Sequence, residues 1–218
     1  MKATFKVKVL EPETPPVPPF VGTKLRVRVT DDQGCAYGIN KLWVADGADG
    51  TVSWGDGVVE TFPSETSPLT HVYAKAGEYE IRLSENVSQM NVTGSATTSV
   101  TTIYAENLLS FVSNSPLFSK LGAYALSGCL NLTEFDVEDA NYTLISASMM
   151  KGCANLPAVL RFPCITTINS NRATLPFAGC TSVREIWFPK SAEDLITRSI
   201  SYQADPHLGA PNAEVKFF

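Results

Sequence analysis

Ser127-Gly128-Cys129-Leu130-Asn131-Leu132, Lys151-Gly152-Cys153-Ala154-Asn155-Leu156 and Ala178-Gly179-Cys180-Thr181-Ser182-Val183 are three near-copies of one phrase, and they decide the fold of the second half of this chain. Their cysteines fall 24 and then 27 residues apart. A period in that range describes units that bury their apolar faces only against their neighbours, stacking into a solenoid. Aligned on the cysteines, Leu132, Leu156 and Val183 follow three positions later, and Phe135, Val159 and Ile186 six positions later. Val137 and Phe188 extend the first and third units into an L-x-x-L-x-L strand cadence. The second unit breaks it: Arg161 stands where the third apolar residue belongs, so Leu160 and Phe162 are expected to take over through a local bulge.

Before each Gly-Cys comes a short apolar pair, Ala125-Leu126, Met149-Met150 or Pro176-Phe177, which fits a helical turn on the convex side. A second apolar pulse follows each strand, at Leu144-Ile145, Ile165 to Ile168 and Leu195-Ile196, and the phrase from Gly209 to Phe218 supplies a final strand. The grammar of Ala125-Leu126-Ser127-Gly128-Cys129-Leu130-Asn131-Leu132 resembles the BspA-like leucine-rich repeat family, over residues 95–218 or so and about three to four coils. The resemblance implies a fold and leaves the ligand open. Three units are near the minimum that buries a continuous core, so the open first coil needs a cap. The preceding domain is the natural candidate, with the β-branched stretch Ser95 to Ile103 as an entry strand.

Five cysteines make an odd count, and three of them share one repeat position. Cys129, Cys153 and Cys180 therefore read as buried, reduced thiols filling a small apolar slot, since neither a disulfide framework nor the Cys/His spacing of a zinc site is present. Cys35 and Cys164 lie off this ladder, with no neighbouring charge in sequence to activate them.

The first half reads as a small β-sandwich over residues 1–94. Phe5-Lys6-Val7-Lys8-Val9 and Leu25-Arg26-Val27-Arg28-Val29 alternate strictly, the pattern of half-buried strands. Between them the Pro-rich segment 11–19 cannot pair in a ladder and is expected to run extended; whether residues 1–10 join the sandwich stays open. Further on, Val52-Ser53-Trp54-Gly55-Asp56-Gly57 carries the Asp-Gly of a tight hairpin, with Gly57 supplying the positive φ, Trp54 a core aromatic on the incoming strand, and Tyr79, Ile81 and Leu83 alternating on a later one.

Trp54-Gly55-Asp56-Gly57, His71-Val72-Tyr73 and Gly77-Glu78-Tyr79 together resemble the W-G-D-G, H-x-Y and G-x-Y signatures of the PKD-type β-sandwich family, over residues 20 to 92. The resemblance implies an immunoglobulin-like sandwich, spacer or binding module of microbial surfaces and secreted enzymes. It makes His71 a structural side chain tying the last strands together, and no nucleophile elbow accompanies it in sequence. Asp46, Asp49 and Asp56 could offer oxygen ligands to calcium, although Asp46 to Gly50 lacks the spacing and closing Glu of an EF-hand loop.

In the repeat strands the non-leucine positions point outward, presenting Thr133, Glu134 and Asp136, Pro157, Ala158 and Leu160, and Arg184, Glu185 and Trp187 as one face. Glu134, Asp136, Arg184, Glu185 and Trp187 are the candidate binding residues. Trp187 is expected either to stand exposed as a hot-spot or sugar-stacking residue or, preferably, to pack beneath the excursion from Lys190 to Pro206. The Asn-x-Ser/Thr sequons at Asn86, Asn91, Asn131 and Asn141 carry little weight.

The bulk numbers narrow the class. In 218 residues, 14 Gly and 14 Pro favour a turn-rich β protein, and a formal charge of -5 with scattered cations argues against nucleic acid. No run approaches the roughly 20 apolar residues that cross a bilayer, so no membrane insertion is expected. Nor is any cofactor implied. The expectation is a mainly β, non-enzymatic binding or adhesion module of a bacterial surface or secreted protein, with a protein or glycan ligand. Met1-Lys2 without an apolar export block leaves a structural protein of a phage or prophage particle as the alternative, and a carbohydrate-active enzyme or its carbohydrate-binding accessory module as a third. Paired carboxylates at glycosidase spacing cannot be picked from the sequence.

Overall fold

A computed structural model describes residues 19–93 and 104–218. The expectations for the strand at residues 5–9, for nearly all of the proline segment 11–19 and for the entry stretch 95–103 lie outside the described residues. The first half contributes β1 (Thr23–Val29), β2 (Ala36–Ile39), β3 (Lys41–Val44), β4 (Gly50–Ser53), β5 (Val59–Phe62), β6 (Glu65–Thr66), β7 (Leu69–Val72), β8 (Gly77–Leu83) and β9 (Val87–Asn91). The second half contributes β10 (Leu108–Ser113), β11 (Lys120–Leu121), β12 (Glu134–Asp136), β13 (Leu144–Ser146), β14 (Val159–Arg161), β15 (Thr167–Asn169), β16 (Glu185–Phe188) and β17 (Glu214–Phe217). Two short helices, α1 (Glu193–Thr197) and α2 (Ile200–Ala204), lie between β16 and β17. Among the described residues the chain is mainly β, with several sheets and none closed.

Alternation fixes the centre. In β1, Leu25, Val27 and Val29 are buried while Arg26 and Arg28 point to water. This strand pairs antiparallel with β8 on one side and β10 on the other, Arg26 lying opposite both Glu80 and Ser110. The resulting sheet runs β12-β10-β1-β8-β4-β5, and a second runs β15-β13-β11-β9-β3-β6. Both sheets begin in the first half and end in the second. The junction between the halves is therefore backbone pairing: β10 antiparallel to β1 and parallel to β12, and β11 parallel to both β9 and β13. A smaller parallel sheet, β14-β16-β17, follows, and β2 pairs with β7.

The Gly-Cys phrases stack on one another. Gly128 N–H donates to the Lys151 carbonyl (2.8 Å), Gly152 to Ala178 (2.7 Å) and Gly179 to Gly209 (3.1 Å). All three glycines hold φ near +80°, where an L side chain is strained, so glycine is the residue that permits this turn. Beside them, Cys153 Sγ donates to the Leu126 carbonyl (3.0 Å) and Cys180 Sγ to that of Met150 (3.1 Å). The side chain two residues past each cysteine ties units together: Asn131 Nδ2 to the Glu106 carbonyl (2.8 Å), Asn155 Nδ2 to Leu130 (2.8 Å) and Ser182 Oγ to Leu156 (2.7 Å). Asn212 repeats the contact with Thr181 (2.9 Å) in a final unit where Ala210 replaces the cysteine.

An earlier unit precedes the three. Ala105-Glu106-Asn107-Leu108 occupies the phase of Cys129-Leu130-Asn131-Leu132, 24 residues upstream, and leads into β10. The short helical turns expected before each Gly-Cys are a correction. Tyr124 and Ser148 take left-handed φ values of 58° and 49°, and the following residues close i to i−3 bonds such as Ser127 N–H to Tyr124 and Cys129 N–H to Leu126, a run of turns that never propagates a helix. The two helices lie instead in the excursion after β16.

In the second unit Leu160 pairs with Ile186, and Leu160 and Phe162 are buried while Val159 is exposed. The core phase is thus displaced by one residue. Val159 and Leu160 exchange the places the cadence assigns them, because the strand period of two flips every side chain on a one-residue shift. An aromatic file fills the interior across the units: Phe111 and Phe135 at 5.5 Å between ring centroids, Phe135 and Phe162 at 6.0 Å, Phe162 and Phe188 at 5.7 Å, and Phe188 and Phe217 at 6.4 Å. It belongs to the same hydrophobic core as Leu25, Val52 and Trp54 of the first half.

Candidate functional site

The motif residues of the first half converge on one cluster. Trp54 is fully buried at the end of β4, its ring stacked on His71 (4.9 Å, 11° between planes). His71 meets Tyr73 edge-on at 4.7 Å, and Tyr73 stacks on Tyr79 at 4.0 Å. Tyr73 Oη donates to the Trp54 carbonyl (3.0 Å), Trp54 Nε1 to Glu60 (2.8 Å) and Tyr79 Oη to the Lys75 carbonyl (2.9 Å). His71 Nε2 lies 2.8 Å from Asp56 Oδ2. An ionised carboxylate only accepts, so the ring N–H is the donor, and this bond holds the Asp56 carboxyl below the usual carboxylate range. Asp56 Oδ1 also accepts from Val58 N–H (3.0 Å), closing the turn between β4 and β5.

Gly57 does take positive φ there (99°), and Gly55 does too (88°). A Cβ at Gly55 would lie 2.6 Å from the Glu80 carbonyl, so the turn sits directly on β8. Gly77 opens β8 two residues before Tyr79. Both carboxylate oxygens of Asp56 and the Nε2 of His71 are thus committed to tying the β4–β5 turn to β7. Among the described residues no group of three or more His, Cys, Asp or Glu is placed to hold a metal ion, and Asp46, Asp49 and Asp56 are not brought together as one.

The outward face of the β14-β16-β17 sheet carries the second candidate. Register places Arg161, Trp187 and Lys216 side by side, with Glu185 and Glu214 in the adjacent row. Trp187 is half-buried: the Arg161 guanidinium lies 5.2 Å and the Lys216 ammonium 5.5 Å from its ring centroid, and Phe218 packs at 6.4 Å. Its indole N–H donates to Glu185 Oε2 (2.7 Å), while Lys216 Nζ bonds Glu185 Oε1 (2.5 Å). These two donors, Lys216 first, hold the Glu185 carboxyl below its ordinary range, and Glu185 in turn raises the Lys216 ammonium. The excursion from Lys190 packs elsewhere, α1 against β15 with Ser170 Oγ bonded to Ser201 Oγ (2.8 Å). Trp187 is therefore covered by neighbours of its own sheet, which corrects the expectation that the excursion buries it.

Arg184 leaves this face. Its Nη1 donates to the carbonyls of Thr181 (2.8 Å) and Val183 (3.2 Å), turning the guanidinium back onto its own loop. Glu134 and Asp136 are exposed on β12, continuing the face toward β10 and β1. There, two open cavities of about 270 and 350 Å³ share Arg26 as a common wall. The smaller is lined by Arg26, Arg28, Glu78, Asn131, Thr133 and Asn155 with Leu109. The larger is lined by Lys24, Arg26, Glu80, Ser110, Val112 and Glu134. Sequence reasoning found Glu134 here and missed Arg26, which was visible only as the outward half of a strand pattern.

The repeat cysteines are buried free thiols, and Cys35 and Cys164 are free and partly exposed. The neighbouring Cys129 and then burial push the Cys153 thiol far up, and burial and then Cys153 do the same to Cys180, away from the thiolate needed for nucleophilic chemistry. Cys35 donates to Asp31 (3.3 Å), which raises its thiol as well. No family model, curated protein or solved structure matches this chain.

Proposed function

We propose that this chain is a non-enzymatic binding or adhesion module of a bacterial surface or secreted protein, in which a PKD-like sandwich serves as stalk and cap and BspA-like leucine-rich repeats present the recognition surface. The observation that carries the reading is Trp187, a large aromatic held rigid on an outward sheet face. Arg161 and Lys216 flank its ring and Glu185 fixes its N–H. A pre-ordered aromatic within a charged rim is the composition of interface hot spots, because little side-chain entropy remains to be lost on binding. Glu134 and Asp136 stand exposed on β12, which runs beside β14 of that sheet.

A protein and glycan array with the purified chain tests the reading. Any ligand it finds is expected to lose at least tenfold in affinity to Trp187→Ala combined with Glu134→Lys, with the circular dichroism spectrum retained. Surface changes on β5, such as Thr61→Lys, are expected to leave binding intact. A folded double variant that binds unchanged refutes the assignment of the face.

A further inference from the structure

We propose that the trench over β1, β10 and β12 is a subsite for the carboxylate of an acidic saccharide, with Arg26 as the recognising cation. The inference rests on the binding-module reading and names a ligand class for it.

Arg26 stands between the two cavities and lines both. Its neighbours on the sheet are already neutralised: Arg28 pairs with Glu78 (3.0 Å) and Arg82 with Glu80 (2.6 Å). Lys24, which lies 5.3 Å from the Phe20 ring centroid and makes no ion pair among the described residues, is a second cation at the larger cavity alone. Arg26 is exposed and, among the described residues, makes no ion pair. A guanidinium with its fork unoccupied matches a carboxylate in two-point geometry.

The rest of the lining selects the class of molecule that carries the carboxylate. Asn131 and Asn155 commit their Nδ2 atoms to the carbonyls of Glu106 and Leu130, which fixes both carboxamides in place with their oxygens left to accept. The Thr133 hydroxyl, the Ser110 hydroxyl and the Glu134 carboxylate add further acceptors within the same trench. Acceptors set around a guanidinium without an ion-pair partner suit a polyhydroxylated acid, whose hydroxyls donate outward. An acidic peptide fits less well, for two reasons. Only Leu109 and Val112 offer apolar contact, and the floor strands β1 and β10 are each paired on both sides, so no backbone edge is open for a peptide to extend.

Calorimetric titration of the full chain with a tetrasaccharide alternating glucuronic acid and N-acetylglucosamine, and with its carboxyl-reduced counterpart, tests the proposal. The acidic form is expected to bind at least tenfold more tightly. Arg26→Gln abolishes that preference, Arg26→Lys restores part of it, and Thr61→Lys, on the exposed edge strand β5, leaves it in place. Far-ultraviolet circular dichroism confirms that each variant is folded. Equal binding of the two saccharides, a preference that survives Arg26→Gln, or tighter binding of a Glu-rich peptide overturns the proposal while leaving the broader reading standing. Failure of every saccharide and protein on the array removes the broader reading as well.

Discussion

Replacing Trp54 by Ala tests whether the first half is organised around this side chain. The indole is fully buried, and a tryptophan buries about 150–250 Å², worth about 4–6 kcal/mol at roughly 25 cal/mol per Å². Alanine keeps part of that burial and the hole relaxes partly, which brings the expected loss to about 3–5 kcal/mol. The polar contacts change this figure little. Tyr73 bonds the Trp54 main-chain carbonyl, which the substitution retains, and Glu60, the partner of Nε1, is exposed and rehydrates. Urea unfolding followed by circular dichroism reads the outcome. With a slope of about 2–3 kcal/mol/M, the midpoint falls by about 1–2 M. Trp54→Phe, which preserves a ring for His71 to stack on, loses less than half as much. A Trp54→Ala midpoint shifted by less than about 0.5 kcal/mol in equivalent stability would show that the cluster is peripheral.

Gly55→Ala is expected to cost at least about 2 kcal/mol, read by thermal melting, because its φ of 88° and the Glu80 carbonyl 2.6 Å from the new Cβ both oppose a side chain. Cys153→Ser is expected to cost about 1–2 kcal/mol: the hydroxyl enters an apolar slot but finds the Leu126 carbonyl that the thiol already uses, and non-reducing mass analysis of the wild type should count five free thiols. Asp56→Asn removes a stabilising term at neutral pH. Because the folded carboxyl is held low, the term is present above its unfolded pKa of about 3.9 and is lost as pH falls through the lower folded value, so the difference in Tm between wild type and variant should shrink from pH 5 to pH 2. Since one core spans both halves, wild-type melting should be a single transition by tryptophan fluorescence and by circular dichroism; two separated transitions would contradict a shared core.

How much of this could be read from the sequence depends on the range of the interaction. The Gly-Cys phrases were legible because a left-handed turn demands glycine and a stacked slot demands a small apolar side chain, both local requirements. Strand β1 was legible from its alternation, and Trp54, His71, Tyr73 and Tyr79 from the spacing of three short motifs. The unit at Ala105 escaped because only Asn107 and Leu108 keep the phrase, while Tyr104-Ala105 stands for Gly-Cys. Pairing of β10 with β1 joins residues more than 80 positions apart, a separation at which sequence pattern carries no register. The surroundings of Trp187 were hidden for the same reason: Arg161 read as a defect in one unit and Lys216 as part of a closing strand, and only the parallel register sets them on either side of one ring. Arg184 was misread because outward phase places a Cβ and leaves the end of a long side chain free to fold back.

The pairing of β10 with β1 also bears on how the molecule carries load. If the proposed recognition face holds a ligand, a pull on it passes from unit to unit through the main-chain ladder at Gly128, Gly152 and Gly179, and through the β10 ladder into β1, at the middle of the first sheet. Along the strand direction those ladders are loaded in shear, so their hydrogen bonds resist together and not one after another. The two halves are therefore joined across a broad seam of paired backbone, which under the adhesion function proposed above would spread tension over many hydrogen bonds at once.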